Sequence, residues 1–136
     1  METLDHLSKV VVGLLNGTRV KGYIEDFSSL ETSFNLLPRD DPRGGQPTKI
    51  EMRLVKAVFF VLEFDGLPED NLLPHPNPPA SGRSIEVTFR DGEKIVGKTM
   101  GYSPSRFGFF LYPASLRDNN VRIFVVTKNT RQVRLL

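Results

Sequence analysis

The sequence predicts an all-β protein of two tandem, five-stranded, strongly bent barrels that are related by an internal repeat. The first observation is a series of matching residues at a constant offset of 75, such as Asn16-Gly17 and Asp91-Gly92. The second is strict alternation of apolar and polar residues, as in 85–89, which is typical of half-buried strands. The third is a glycine at the same place in both copies, Gly22 and Gly97, where a small barrel would bend its sheet.

The first repeat is predicted to be a barrel over residues 1–61 with its strands in meander order. The Asn16-Gly17 pair marks the turn after its first strand, and a polar Pro/Gly loop over 40–46 separates its third and fourth strands. The predicted strands cover 9–15, 19–27, 33–37, 48–53 and 56–62.

The second repeat, residues 83–136, is predicted to follow the same order. Asp91-Gly92 predicts a two-residue type I′ hairpin, in which both central residues need positive φ. Pro113 closes the third strand, because proline cannot continue a ladder in a central strand. The predicted strands cover 85–89, 94–99, 107–112, 121–127 and 132–136. Residues 62–82 contain five prolines and are predicted to be a stiff, extended spacer.

Alternation assigns one face of each strand to a core, and the meander with a glycine bend is typical of SH3-like or Sm-like barrels. Two histidines, His6 and His75, lie outside the predicted strands and are isolated from other ligand types. The predicted inward positions are Val10, Val12, Leu14, Val20, Ile24, Phe34, Leu36, Ile50 and Val58, and then Ile85, Val87, Phe89, Ile95, Phe109, Leu111, Ile123, Val125 and Val133.

Several apolar residues fall out of phase with this core. A second apolar face on a strand usually means that both faces are covered. We therefore predict that the two barrels pack on each other, or on a second chain, through these residues. The predicted interaction residues are Phe110, Tyr112, Phe124, Val126, Leu37 and Phe59.

Charge is distributed unevenly along the chain. Residues 1–61 are balanced, residues 62–82 carry four acidic groups and no basic ones, and residues 83–136 carry ten Lys and Arg against four Asp and Glu. A basic surface beside aromatic residues favours single-stranded nucleic acid, which leaves RNA binding by the second repeat as an alternative function. The residues predicted for it are Lys94, Lys98, Tyr102, Arg106, Lys128 and Arg131.

The residue inventory points away from catalysis. The chain has no cysteine, no phosphate-binding loop and no nucleophile elbow, and the two repeats share no polar constellation. We therefore expect no enzyme activity, no cofactor and no metal. The absence of cysteine fits a reducing compartment, and no signal peptide or membrane-spanning stretch is visible. A cytoplasmic protein without membrane contact is the expectation.

Three resemblances bear on function. Leu15-Asn16-Gly17 followed by Val20 and Gly22 resembles the first motif of Sm-like RNA-binding proteins, whose second motif is missing here. Asp26-x-Ser28 is similar to part of the signature of PilZ domains, which implies cyclic dinucleotide-linked signalling as a second alternative. The run Gly108-Phe109-Phe110-Leu111-Tyr112-Pro113, with Asn119-Asn120-x-Arg122, resembles an uncharacterised bacterial family of tandem small β-barrels.

Members of that uncharacterised family often accompany PilZ or receiver signalling modules. The resemblance implies a regulatory, non-catalytic interaction module that acts through protein–protein contacts. A protein partner or a homo-oligomer is expected, and nucleic acid is the other possible partner.

Overall fold

The computed structural model describes residues 7–67, 82–114 and 118–136, and these residues form an all-β fold. Two single 3₁₀ turns, Met52–Leu54 and Thr127–Asn129, accompany ten antiparallel strands. The strands are β1 Leu7–Leu14, β2 Arg19–Glu25, β3 Ser33–Pro38, β4 Thr48–Glu51, β5 Val55–Val61, β6 Arg83–Phe89, β7 Lys94–Thr99, β8 Gly108–Pro113, β9 Asn120–Val126 and β10 Thr130–Leu135. The predicted all-β class is confirmed.

All ten strands belong to one open sheet with the order β10-β6-β7-β8-β9-β5-β1-β2-β3-β4. The N-terminal half, residues 7–67, and the C-terminal half, residues 82–136, each supply five adjacent strands. The halves meet where β5 pairs with β9, and we call these two strands the junction. Within the described ranges β10 and β4 are the ends of the sheet, so the predicted closure into two barrels stays a prediction.

Strand pairing follows the same registers in the two halves. Val12 pairs with Val20, and 75 residues later Val87 pairs with Ile95. The two 3₁₀ turns keep the same offset. The paired strands and the 3₁₀ turns of one half therefore have counterparts, 75 positions away, in similar places of the other half.

The glycines in β2 and β7 are required by a close approach of the next strand. A Cβ on Gly22 would collide with the carbonyl oxygen of Leu37, and one on Gly97 with the carbonyl oxygen of Tyr112. Each glycine also faces a proline across the ladder, Pro38 or Pro113, at the same register. The two predicted bend positions thus have a steric cause, because only glycine lets the backbones come this close.

The hairpin turn at Asp91-Gly92 differs from its prediction. Gly92 has φ of 94°, but Asp91 has no positive φ, so the type I′ turn is wrong. The Gly92 amide donates to Phe89 O (3.0 Å) and the Phe89 amide donates to Glu93 O (2.8 Å), which encloses a three-residue loop. The Asp91 carboxylate accepts the Glu93 amide at 2.9 Å, and this local bond stabilises the alternative turn.

Two hydrophobic cores lie on the sheet, one for each half. All predicted inward residues are buried in these cores or half-buried against them. The predicted inward set omits buried residues of the first 3₁₀ turn, β5 and β9, namely Met52, Val55, Ala57, Phe60, Val61, Phe124 and Val126.

The predicted spacer is described only at its two ends. Residues 68–81, which include His75, lie outside the described residues, and so does His6. The described start of the spacer is attached to the N-terminal half. Asp65 accepts hydrogen bonds from Lys21 Nζ and Arg39 Nη2, each at 2.7 Å. Because both partners favour the carboxylate, the pKa of Asp65 is lowered to about 2.

Candidate protein-interaction surface

The junction strands are covered on both faces because each contributes alternate residues to the two cores. On β5, Val58 and Phe60 enter the N-terminal core, whereas Ala57 enters the C-terminal core. On β9, Phe124 enters the N-terminal core and Val125 the C-terminal core. The second apolar face seen in the sequence is therefore internal at the junction, and it joins the two halves.

An aromatic cluster of Phe27, Phe60, Phe110 and Phe124 fills the N-terminal side of the junction. The Phe27 ring lies 5.4 Å from Phe60 and 5.2 Å from Phe124, and Phe110 lies 5.3 Å from Phe124. The Arg122 guanidinium covers Phe60 at 4.4 Å and Phe110 at 4.3 Å. Residues of the C-terminal half thus complete the core of the N-terminal half.

These positions locate the predicted interaction residues. Phe124 and Val126 are buried, Phe110 is half-buried against the N-terminal core, and Phe59 is half-buried against the C-terminal core. All four residues form contacts between the halves. Phe124 and Val126 offer almost no surface to another molecule, whereas Phe110 and Phe59 each also line a surface depression. Tyr112 is half-buried beside a depression that Met100, Arg106 and Phe110 also line. Leu37 is half-buried at a separate depression, which Asp26 and Glu31 line.

Polar bonds also cross the junction, and sequence analysis missed them. Lys56 Nζ, on β5, lies 2.7 Å from Asp91 Oδ2 and 2.5 Å from Glu93 Oε1, in the hairpin loop of the other half. Partial burial disfavours the ammonium, but the bonds to Asp91 and Glu93 outweigh it, so the pKa of Lys56 is raised. The same bond to Lys56 lowers the pKa of Asp91. The sequence signal for these bonds was a single lysine, Lys56, in an otherwise apolar strand.

The β10 end of the sheet holds an exposed apolar surface. A depression of about 220 Å3 lies beside the C-terminal part of this strand. We call it the β10 depression, and it is lined by Gly82, Arg83, Thr99, Met100, Tyr102 and Leu135. Met100 is 69% exposed and Leu135 is 37% exposed. Apolar side chains exposed beside an unpaired strand edge are typical of interaction sites.

The β10 depression corresponds to the place where the two halves meet. Tyr102 and Leu135 are the 75-residue counterparts of Phe27 and Phe60. Tyr102 also packs edge-on against Phe109 at 4.9 Å, as Phe27 packs against Phe34 at 5.9 Å. In the N-terminal half this surface is covered by Phe110 and Phe124, whereas in the C-terminal half it is open to solvent.

The β4 end of the sheet is different in chemistry. The counterparts of the buried Phe124 and Val126 are Lys49 and Glu51, and both are exposed. The strand has only four residues and follows Pro47. Short length, charge and proline are features that protect a sheet edge from pairing with another strand.

The predicted nucleic-acid residues are divided among three places. Arg131 Nη2 donates to Arg90 O (3.1 Å) and Arg90 Nη2 donates to Lys128 O (2.9 Å), so three basic residues meet near the second 3₁₀ turn. Lys94 and Lys98 are exposed on one face of β7, about 13 Å apart along the strand. Tyr102 and Arg106 line depressions beyond the other end of β7.

The described residues offer little to a metal or to a cyclic dinucleotide. No group of three metal-ligating side chains occurs in the described ranges. Asp26 and Ser28 line a depression of about 280 Å3 together with Glu25 and Glu31, and three carboxylates disfavour a phosphate there. In the described part of the chain, no helix is long and apolar enough to cross a membrane.

Comparison with known proteins gives one match. Residues 6–136 match the model of a family described as a family of unknown function, DUF6982. No curated protein and no solved structure matches the chain.

Proposed function

Because the chain belongs to the DUF6982 family, whose function is unknown, its role has to be argued from its own residues, and we propose a non-catalytic, regulatory protein-binding module. The module consists of two copies of one five-stranded unit, each curled as a small SH3-like or Sm-like barrel. The equal registers and the equal offset of the two halves support this description. One copy is covered by the other, and the second copy keeps its corresponding surface free for a partner.

The observation that carries the proposal is the exposed pair Met100 and Leu135 at the β10 depression. The counterpart of Leu135 is Phe60, which is buried under residues of the other half. The surface that is covered in the N-terminal half thus has an apolar, concave counterpart in the C-terminal half. Methionine suits such a site, because its flexible thioether adapts to different partners.

The test is selection of binding peptides with the full chain. A displayed library of random short peptides is selected on the wild-type protein, and individual peptides are then titrated against wild type and Leu135→Asp. We expect binders that lose about tenfold or more in affinity with Leu135→Asp. Leu54→Asp is the matched control, since Leu54 is similarly exposed (44%) but lies in the first 3₁₀ turn, outside the β10 depression. Peptides that bind all three proteins equally, or no peptides at all, would contradict the proposal.

Single-stranded nucleic-acid binding is the second candidate, and the basic group near the second 3₁₀ turn favours it. Arg90, Lys128 and Arg131 make no ion pair with a carboxylate in the described ranges, and Arg90 and Arg131 bond to backbone oxygens instead. Cations that are not neutralised by carboxylates remain available to phosphates.

Anisotropy of labelled single-stranded RNA across a salt series tests this candidate. Binding should weaken steeply as salt rises, because bound phosphates release counterions. Lys128→Glu with Arg131→Glu should remove it, whereas Lys49→Glu with Arg39→Glu, two exposed cations at the β3–β4 end of the sheet, should not. Equal binding by the two charge-reversed variants would exclude this surface.

A further inference from the structure

We propose that the β10 edge binds an extended segment of a different protein, which adds as an antiparallel strand and places an aromatic side chain opposite Val133. The inference rests on the proposed function and specifies its partner. It follows from the junction, where β5, the counterpart of β10, is paired with β9.

The junction supplies the register. β9 pairs with β5 so that Phe124 lies opposite Val58, and the Phe124 ring then packs on Phe27. Val133 is the counterpart of Val58 and packs against the C-terminal core in the same way. A strand bound to β10 in the register of β9 therefore directs the residue opposite Val133 towards Tyr102.

The backbone of β10 is available for such pairing. One side of β10 pairs with β6 from Thr130 to Leu135, and on its other side the described residues place no strand. An edge strand presents unpaired N–H and C=O groups, and their pairing supplies the affinity when a peptide adds to a sheet.

The side chains of the β10 depression determine which side chains of the added strand fit there. Tyr102 and Leu135 take the places of Phe27 and Phe60, and leucine is smaller than phenylalanine, so room remains for a ring. Arg83, at the start of β6, lines the same depression and has no ion pair within the described ranges. Because the added strand runs antiparallel to β10, its N-terminal part approaches Arg83. An acidic residue two positions before the aromatic one, on the same face of the strand, fits there.

A second copy of this chain does not fit this edge. The strand that corresponds to β9 is β4, and it would bring Lys49 into the apolar place of Phe124. It would also place Pro47, which has no N–H donor, within the ladder. Burying an unpaired ammonium is costly. The other edge strand of a second copy, β10 itself, contains no aromatic residue to place opposite Val133. The occupant is therefore a segment of another protein.

The test uses a synthetic peptide with the sequence of residues 118–128, the internal occupant of the corresponding place, and a version with Arg122→Glu to face Arg83. Both are titrated into the intact chain. We expect binding, stronger for the acidic version, and a loss of about tenfold or more when Leu135→Asp changes the depression. A peptide in which Ile123 and Phe124 are exchanged has the same composition but directs the ring to the other face, and it should lose about as much.

Hydrogen exchange of the β10 amides distinguishes this inference from the proposed function. On peptide binding we expect slower exchange at Val133 and Leu135. Their amides point away from β6, because they alternate with the amide of Leu136, which donates to Ser84 O in β6. Library peptides that require Leu135 but leave these amides unchanged would overturn strand addition and leave the binding module intact. Failure of both 118–128 peptides to bind would also overturn the inference. Concentration-dependent dimerisation that Leu135→Asp removes would show that a second copy is the occupant.

Discussion

The junction strands β5 and β9 correspond, at the offset of 75 residues, to the two outer strands β10 and β4. The corresponding strands differ in the residues on the face that points away from the core of their own half. At the junction this face carries Phe124 and Val126, which are buried. At the β4 end the same positions carry Lys49 and Glu51. On β10, Gln132 and Arg134 replace Ala57 and Phe59 of β5. An apolar pattern on this face thus accompanies an internal strand, and a charged or polar pattern accompanies an edge strand.

The largest effect should come from a charge at the internal position. Phe124→Asp buries an unpaired carboxylate, and we expect the free energy of unfolding to fall by about 4 kcal/mol or more. Urea denaturation measures the loss, and Phe124→Ala, at about 3 kcal/mol or more, serves if the aspartate variant does not fold. Lys49→Asp, at the exposed counterpart, should stay within about 0.5 kcal/mol of wild type. Equal losses at the two positions would contradict the comparison.

The next effect should be equal in the two halves. Gly97→Ala and Gly22→Ala each force a Cβ onto the carbonyl oxygen of the neighbouring strand, and we expect a loss of about 2 kcal/mol from either. Gly101→Ala is the control, because the nearest atom to its Cβ is the end of the Arg106 side chain, at 3.5 Å. Thermal unfolding of the three variants compares them, and a tolerated alanine at Gly97 alone would show that the halves bend differently.

Giving the outer strands the junction pattern should create association. A variant with Pro47→Arg, Lys49→Phe, Glu51→Val, Gln132→Ala and Arg134→Phe carries complementary apolar faces at both ends of the sheet and an N–H donor at position 47. Such faces join head to tail, so we expect rings or filaments with a dissociation constant of about micromolar. Sedimentation velocity over a concentration series measures it. Wild type is the control, and if the variant sediments as wild type does, the face pattern does not decide pairing.

The smallest effect should come from the ion cluster across the junction. Lys56→Met removes charge-assisted bonds to Asp91 and Glu93, and we expect a loss of about 1 kcal/mol at pH 7. Because the folded pKa of Asp91 is lowered from 3.8, the contribution is present above this value and disappears as pH falls through the lowered pKa. The difference in free energy of unfolding between wild type and Lys56→Met, measured by urea denaturation at pH 7 and at lower pH, should therefore become smaller below about pH 4.

Arg131→Met is the matched control for that experiment, since Arg131 is the counterpart of Lys56 and bonds only to a backbone oxygen among the described residues. Its loss should be about 0.5 kcal/mol or less. A gap for Lys56→Met that stays constant down to pH 2 would show that packing of its side chain, and not its charge, holds the halves together.

Local signals in the sequence predicted much of the fold. Alternation and turn residues located all ten strands to within a few positions, and the two bend glycines had a steric cause. The pairing of β5 with β9 could not be predicted, because contact between strands far apart in sequence depends on total burial and not on local pattern. For the same reason the sequence marked Phe124 as an interaction residue but could not show that its partner is the other half. The turn at Asp91 was missed because a side-chain bond decided its type.

The junction of β5 and β9, which contributes residues to both cores, has a consequence for fragments of the chain. Each half keeps part of its core in the other, so a half that is expressed alone has to expose apolar surface and should aggregate. When the two fragments 1–67 and 82–136 are mixed, they should associate and fold as a non-covalent complex without the peptide that connects them. The two fragments would then form a fragment-complementation pair. Fused to two other proteins, they could report by their reassembly that these proteins are close together.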